Sequence, residues 1–136
     1  MSSSAEEQTF PSGCRVVGTG ALVADNAADA GGASGALARG TATAAAGMWM
    51  GTSVLPAGRG GGLHHHEDQT TIVCIVSGSM RFIVEGPGGT EDFFAGPGEI
   101  AVIPGGLVHR EENPGNEDCV CVVVRNSETP TVVNVA

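Results

Sequence analysis

Glycine and proline punctuate this chain so densely that short strands, and not helices, are the elements it can build. Its 136 residues include 22 glycines and 7 prolines. From Met48 onward, apolar and β-branched runs alternate with Gly, Pro or Asn breaks. Predicted strands are Met48–Leu55, Thr70–Val76, Met80–Glu85, Asp92–Ala95, Ile100–Ile103, Val108–Glu112, Cys119–Arg125 and Thr131–Val135. The run Gly86-Pro87-Gly88-Gly89 reads as a hairpin loop. Many short strands at regular spacing specify an all-β antiparallel sandwich or barrel. Helix would be most plausible in the alanine-rich stretch 21–46, but Gly31, Gly32, Gly35 and Gly40 interrupt every window long enough to nucleate one. The chain therefore divides into an Ala/Gly-rich N-terminal segment, 1–47, and a barrel, 48–136. The first part carries short strands and is expected to wrap the barrel or serve as a dimer arm.

The length suits one domain with a single core. A formal charge of −9, with no lysine and six arginines, argues against nucleic acid or an anionic membrane as partner. The N-terminus is polar and unlike a secretory signal, and no apolar run is long enough for a membrane-spanning helix. A cytoplasmic protein is expected. Its four cysteines, Cys14, Cys74, Cys119 and Cys121, show no paired CxxC spacing and read as reduced.

Three histidines carry the chemistry. His64 and His66 stand in the frame Gly58-x5-His64-x-His66-x4-Thr71-x6-Gly78, and His109 in Gly98-x5-Pro104-x-Gly106-x2-His109-x3-Asn113. Residues two apart on a strand share a face, so His64 and His66 can offer two imidazoles to one ion. His109, from another strand, completes a facial set that leaves coordination positions open, as a catalytic metal requires.

These two frames resemble the paired motifs of the cupin superfamily over Gly58–Asn113, and the flanking strands fit its antiparallel jelly-roll β-barrel. The second motif is complete. The first departs from the family at Thr71, where cupins carry a glutamate ligand. The resemblance implies a divalent metal held by His64, His66 and His109, with iron(II) expected and zinc, manganese or nickel as alternatives. Without the glutamate, three neutral imidazoles leave the ion's charge uncompensated, which favours anionic substrates. Gln69 can supply the fourth ligand if a bulge turns its amide oxygen inward. Thr71 is expected to hydrogen-bond a bound water or substrate.

Glu111 shares the face of His109 by strand parity and is the candidate general base. Arg81 is the candidate clamp for a substrate carboxylate. His65 and Glu67 alternate with the ligands and should point away. Three functions follow. One is an iron(II) dioxygenase or oxygenase acting on a small enolisable or carboxylated molecule. The second is a non-redox isomerase, cyclase or lyase using zinc, manganese or nickel as a Lewis acid. The third is a binding module without turnover. Single-domain cupins resemble one another in pairing through edge strands, so a homodimer is expected.

Overall fold

The computed structural model describes residues 7–19, 23–24 and 38–135, and every element in them is a β-strand. In chain order they are β1 (Glu7–Thr9), β2 (Arg15–Val17), β3 (Val23–Ala24), β4 (Ala38–Ala45), β5 (Met48–Leu55), β6 (His64–His65) and β7 (Thr71–Ser77). There follow β8 (Met80–Gly86), β9 (Gly89–Ala95), β10 (Ile100–Ile103), β11 (His109–Glu112), β12 (Cys119–Arg125) and β13 (Val133–Asn134). A six-stranded sheet runs β10-β7-β12-β5-β4-β3, and a five-stranded sheet runs β13-β6-β11-β8-β9. All pairings are antiparallel. This is the antiparallel all-β architecture expected from the strand pattern, and it agrees with the jelly-roll that the resemblance implies. Among the described residues no helix is long and apolar enough to cross a membrane.

Alternation explains the core. Cys119, Cys121, Val123 and Arg125 of β12 are buried in turn, as are Met80, Phe82 and Val84 of β8. The intervening residues face outward, since successive side chains of a strand point to opposite sides. Leu55, Ile75 and Phe82 are sealed at 1% exposure or less, and each such side chain contributes roughly 1.5–3 kcal/mol through burial. β4 comes from the segment placed by the sequence outside the barrel. It pairs along β5, with Ala42 and Ala44 packed on the core. Within the same expected arm β3 pairs beside β4, β1 and β2 pair with each other, and 1–6, 20–22 and 25–37 lie outside the described residues.

Gly78 makes the β7–β8 turn at φ +76°, and a Cβ there would lie 2.5 Å from the Asp118 carbonyl oxygen. Both the left-handed backbone and the close approach exclude a side chain. Gly78→Ala should lower stability by about 2–4 kcal/mol in denaturant unfolding. Gly88→Ala, which meets nothing within 4 Å, should stay within about 0.5 kcal/mol of the native protein. Equal effects of the two substitutions would contradict this account of the turn.

Candidate metal centre

Two facing rows of residues build the site. On the five-stranded sheet, His64 of β6 lies directly opposite His109 of β11. On the six-stranded sheet, Arg125 of β12 lies opposite both Trp49 and Thr71, and Thr71 lies opposite Ile103. Cross-strand partners share a face, so this second row turns inward as a unit.

His66 sits just past the end of β6. The turn that follows, with Glu67 at φ 57° and the Gln69 amide donating to the His66 carbonyl at 3.1 Å, folds it back toward His64. The β10–β11 turn braces this loop. A Cβ on Gly105 would stand 2.4 Å from the Asp68 carbonyl oxygen, so only glycine allows the two histidine-bearing loops to touch.

His64, His66 and His109 are 4% exposed or less, and one ring nitrogen of each lies within 4.8 Å of the others. Each Nδ1 faces a backbone carbonyl: Gly62 at 2.9 Å, Thr131 at 2.8 Å and Leu107 at 3.0 Å, respectively. A carbonyl only accepts, so each Nδ1 carries a hydrogen and each ring turns its Nε2 toward the cluster. The Glu111 carboxylate reaches into the same space, with Oε2 2.8 Å from His109 Nε2 and Oε1 3.7 Å from His64 Nε2. Three ring nitrogens and a carboxylate thus converge in a buried place, where a bound cation would take over from the proton shared between His109 and Glu111. The donor set fits a divalent metal ion.

The charges respond accordingly. Burial, followed by the Arg125 guanidinium, pushes the His66 imidazole down to about 3, and burial also lowers His64. Burial opposes charge on His109 as well, but the Glu111 carboxylate outweighs it and raises His109 above its ordinary value. For Glu111, burial would raise the carboxyl, yet the charge and hydrogen bond of His109 prevail and hold it at about 2. Burial lifts the Cys119 thiol to about 11, and burial, followed by the neighbouring Cys119, Glu111 and Cys74, lifts Cys121 to about 12, so neither is a ready nucleophile.

The expected site residues part company here. Thr71 is buried and its Oγ1 accepts from Arg125 Nε at 3.0 Å, so it holds a guanidinium. Gln69 is not among the converging donors. Its amide nitrogen donates to the Thr129 carbonyl at 3.1 Å and its oxygen accepts from the Thr131 amide at 3.2 Å. It positions the strand segment that orients His66.

Arg81 does not face the cavity. It alternates with buried Met80 and Phe82, and on the outer face it pairs with Asp92 and, at 2.6 Å, with Glu112. Arg110 joins the same Glu112 at 2.6 Å. His65 accepts from the Glu67 amide at 3.0 Å, and Glu67 is exposed, so both point away as expected.

Arg125 is the site residue that sequence reading passed over. It is 8% exposed, and its Nη2 lies 3.5 Å from His66 Nε2. It lines, with Thr71, His66, His109 and Glu111, a cavity of about 30 Å³ whose apolar wall includes Val73, Met80, Ile103, Cys121 and Val123. Its parity with Cys119, Cys121 and Val123 was a usable signal.

Fold and site together define an all-β domain with a three-imidazole cluster suited to a divalent ion. The chain belongs to the cupin family: residues 51–125 match the family model described as Cupin domain. It is similar to germin-like protein 3-7 of Oryza sativa subsp. japonica, at 36% identity over 75 residues, which is 54% of this chain and 32% of that protein. The match thus spans about a third of that curated relative. Among solved structures, recombinant oxalate oxidase in complex with glycolate aligns with TM-score 0.63 and 25% identity, covering 82% of this chain and 59% of that one. A further oxalate oxidase, with the substrate analogue glycolate, gives TM-score 0.61 and 29% identity over 65% of this chain and 46% of that one.

Proposed function

We propose that this protein is a metal-dependent cupin enzyme, an oxygenase or oxidase acting on a small carboxylated substrate. The observation that carries this reading is a three-imidazole cluster beside the Glu111 carboxylate, adjoining a cavity lined by His66, His109, Glu111 and the Arg125 guanidinium. The likeness to oxalate oxidases solved with glycolate supports a small carboxylate as the substrate class.

In this reading His64, His66 and His109 hold the ion. Glu111 supplies from β11 the negative charge that Thr71 does not supply from β7. Iron(II) or manganese(II) bound there supplies Lewis acidity and a path for electrons between substrate and dioxygen. The protein's own part is orientation. Arg125, anchored by Thr71, donates to the substrate carboxylate in the role first expected of Arg81, and the planar guanidinium fixes that group in one pose. The apolar wall excludes water from the rest of the cavity, which strengthens each of these contacts. A cavity of about 30 Å³ has room for only one or two water-sized groups, so no more than the reacting end of a substrate fits inside it.

Metal analysis of the purified protein should give roughly one first-row divalent ion per chain. The iron- or manganese-loaded protein should consume oxygen with members of a panel of oxalate, glycolate, small hydroxy acids and diketones. Activity that survives zinc substitution would instead favour the non-redox alternative, and no oxygen uptake across the panel would overturn the oxygenase reading.

A further inference from the structure

The outward faces of the two sheets differ in kind. On the five-stranded sheet, Arg81, Asp92, Arg110 and Glu112 form a chain of ion pairs open to water. On the six-stranded sheet, the positions of β5, β7, β10 and β12 that alternate with the core carry no charged residue. Apart from Thr52, they are aliphatic or bear sulfur. The strand register sets them in rows. Val102 lies beside Ile72, Ile72 beside Val124, and Val124 beside Met50. A second row begins with Ile100 and Cys74. Ile100, Val102, Met50 and Ile72 are 62%, 56%, 51% and 40% exposed.

Size separates this face from the scattered apolar residues of an ordinary surface. Strands about 4.8 Å apart, rising about 3.3 Å per residue, give these four roughly 400 Å² in projection. Their side chains stand off the sheet, so the accessible area is larger. A monomeric protein rarely exposes one apolar patch beyond a few hundred Å². Two such faces pressed together remove on the order of 1,000 Å² or more from water, the size a specific pair requires.

We infer that this face is the contact between two copies of the chain, packed sheet on sheet about a two-fold axis. Charge selects the occupant. A chain carrying −9 repels its own copy wherever acidic groups meet, and this face brings none together. An anionic bilayer is repelled by the same charge, and an oppositely charged partner finds no charge here to pair with. A second copy needs none, because a two-fold contact sets the patch against itself. The β1–β2 hairpin stands at the margin, where Arg15 donates to the Ala44 carbonyl at 2.9 Å and lines a groove with Met50. It bounds the face without covering Met50. In this arrangement the sheets meet face to face, where the sequence suggests pairing at strand edges. The contacting side chains alternate with Thr71, Val73, Cys121 and Val123 of the cavity wall, so the metal centre lies on the far side of the sheet.

Sedimentation velocity on the metal-loaded full chain at about 100 µM should give twice the mass of one chain. Ile72→Lys with Val102→Lys sets lysines from both copies against one another. Association should weaken at least about 100-fold, with metal content and circular dichroism unchanged. Ile72→Thr with Val102→Thr, which keeps the β-branched shape the strands favour, should weaken it by about tenfold. Phe94→Lys, at a 58% exposed position on the outer face of the other sheet, should leave the pair intact. Cys74 gives a second reading. Within the pair it should resist a maleimide that reaches it in the lysine variant, while the exposed Cys14 is labelled in both. A monomer at that concentration would overturn the inference, as would a dimer undiminished in both the lysine and threonine variants. Monomeric protein bound to neutral phosphatidylcholine vesicles would overturn it too, and would assign the face to lipid.

Discussion

Alanine in place of His109 is expected to abolish stoichiometric metal binding, from roughly one ion per chain to below about a tenth. The same result is expected for His66→Ala. His109 is 1% exposed, offers its Nε2 to the cluster and stands directly opposite His64, so no neighbouring side chain can replace it. Its loss also strands the buried Glu111 carboxylate, whose 2.8 Å partner it is, so a lowered unfolding midpoint should accompany the loss of metal. The measurement is elemental analysis after gel filtration, with His65→Ala as the control. His65 turns away to accept from the Glu67 amide and should keep full occupancy. Metal retained at wild-type level in both His66→Ala and His109→Ala would overturn the site.

Glu111→Gln should weaken metal affinity by about 10- to 100-fold without unfolding the protein. The amide preserves shape and packing but removes the negative charge that faces the Nε2 atoms of His109 and His64 at 2.8 and 3.7 Å. Competition against a chelator of known affinity reads the change. An affinity within about twofold of wild type would mean that the carboxylate does not serve the ion, and the charge missing at Thr71 would have to come from elsewhere.

Much of this architecture is legible in the sequence alone, because its signals are local. Met48–Leu55, Ile100–Ile103 and Cys119–Arg125 are strands with the predicted bounds, since each is an apolar run closed by turn residues. The three histidines were legible from their Gly/Pro frames. What failed was of two kinds. Gln69 looked free to ligate because its partners, the backbone at Thr129 and Thr131, lie 60 and 62 residues away, and no local pattern announces such pairings.

Arg81 and Arg125 are different, because for them the alternation was present in the sequence. Arg81 interleaves with Met80 and Phe82 and so points out. Arg125 continues the Cys119, Cys121 and Val123 series and so points in. The charge of Arg125 disguised it, as a strand-terminal arginine is ordinarily solvated.

The segment after β12 sets the order in which the site can be assembled. Thr131 orients His66, Thr129 and Thr131 engage Gln69, and β13 pairs with His64 and His65. A nascent chain that has emerged only as far as Arg125 has every other strand of both sheets but lacks the piece that sets the first two histidines. Synthesis runs from the N-terminus, and domains fold as their parts become available. The centre is therefore completed only when the strap around residue 131 is free to dock, so metal loading must wait for that strap to emerge.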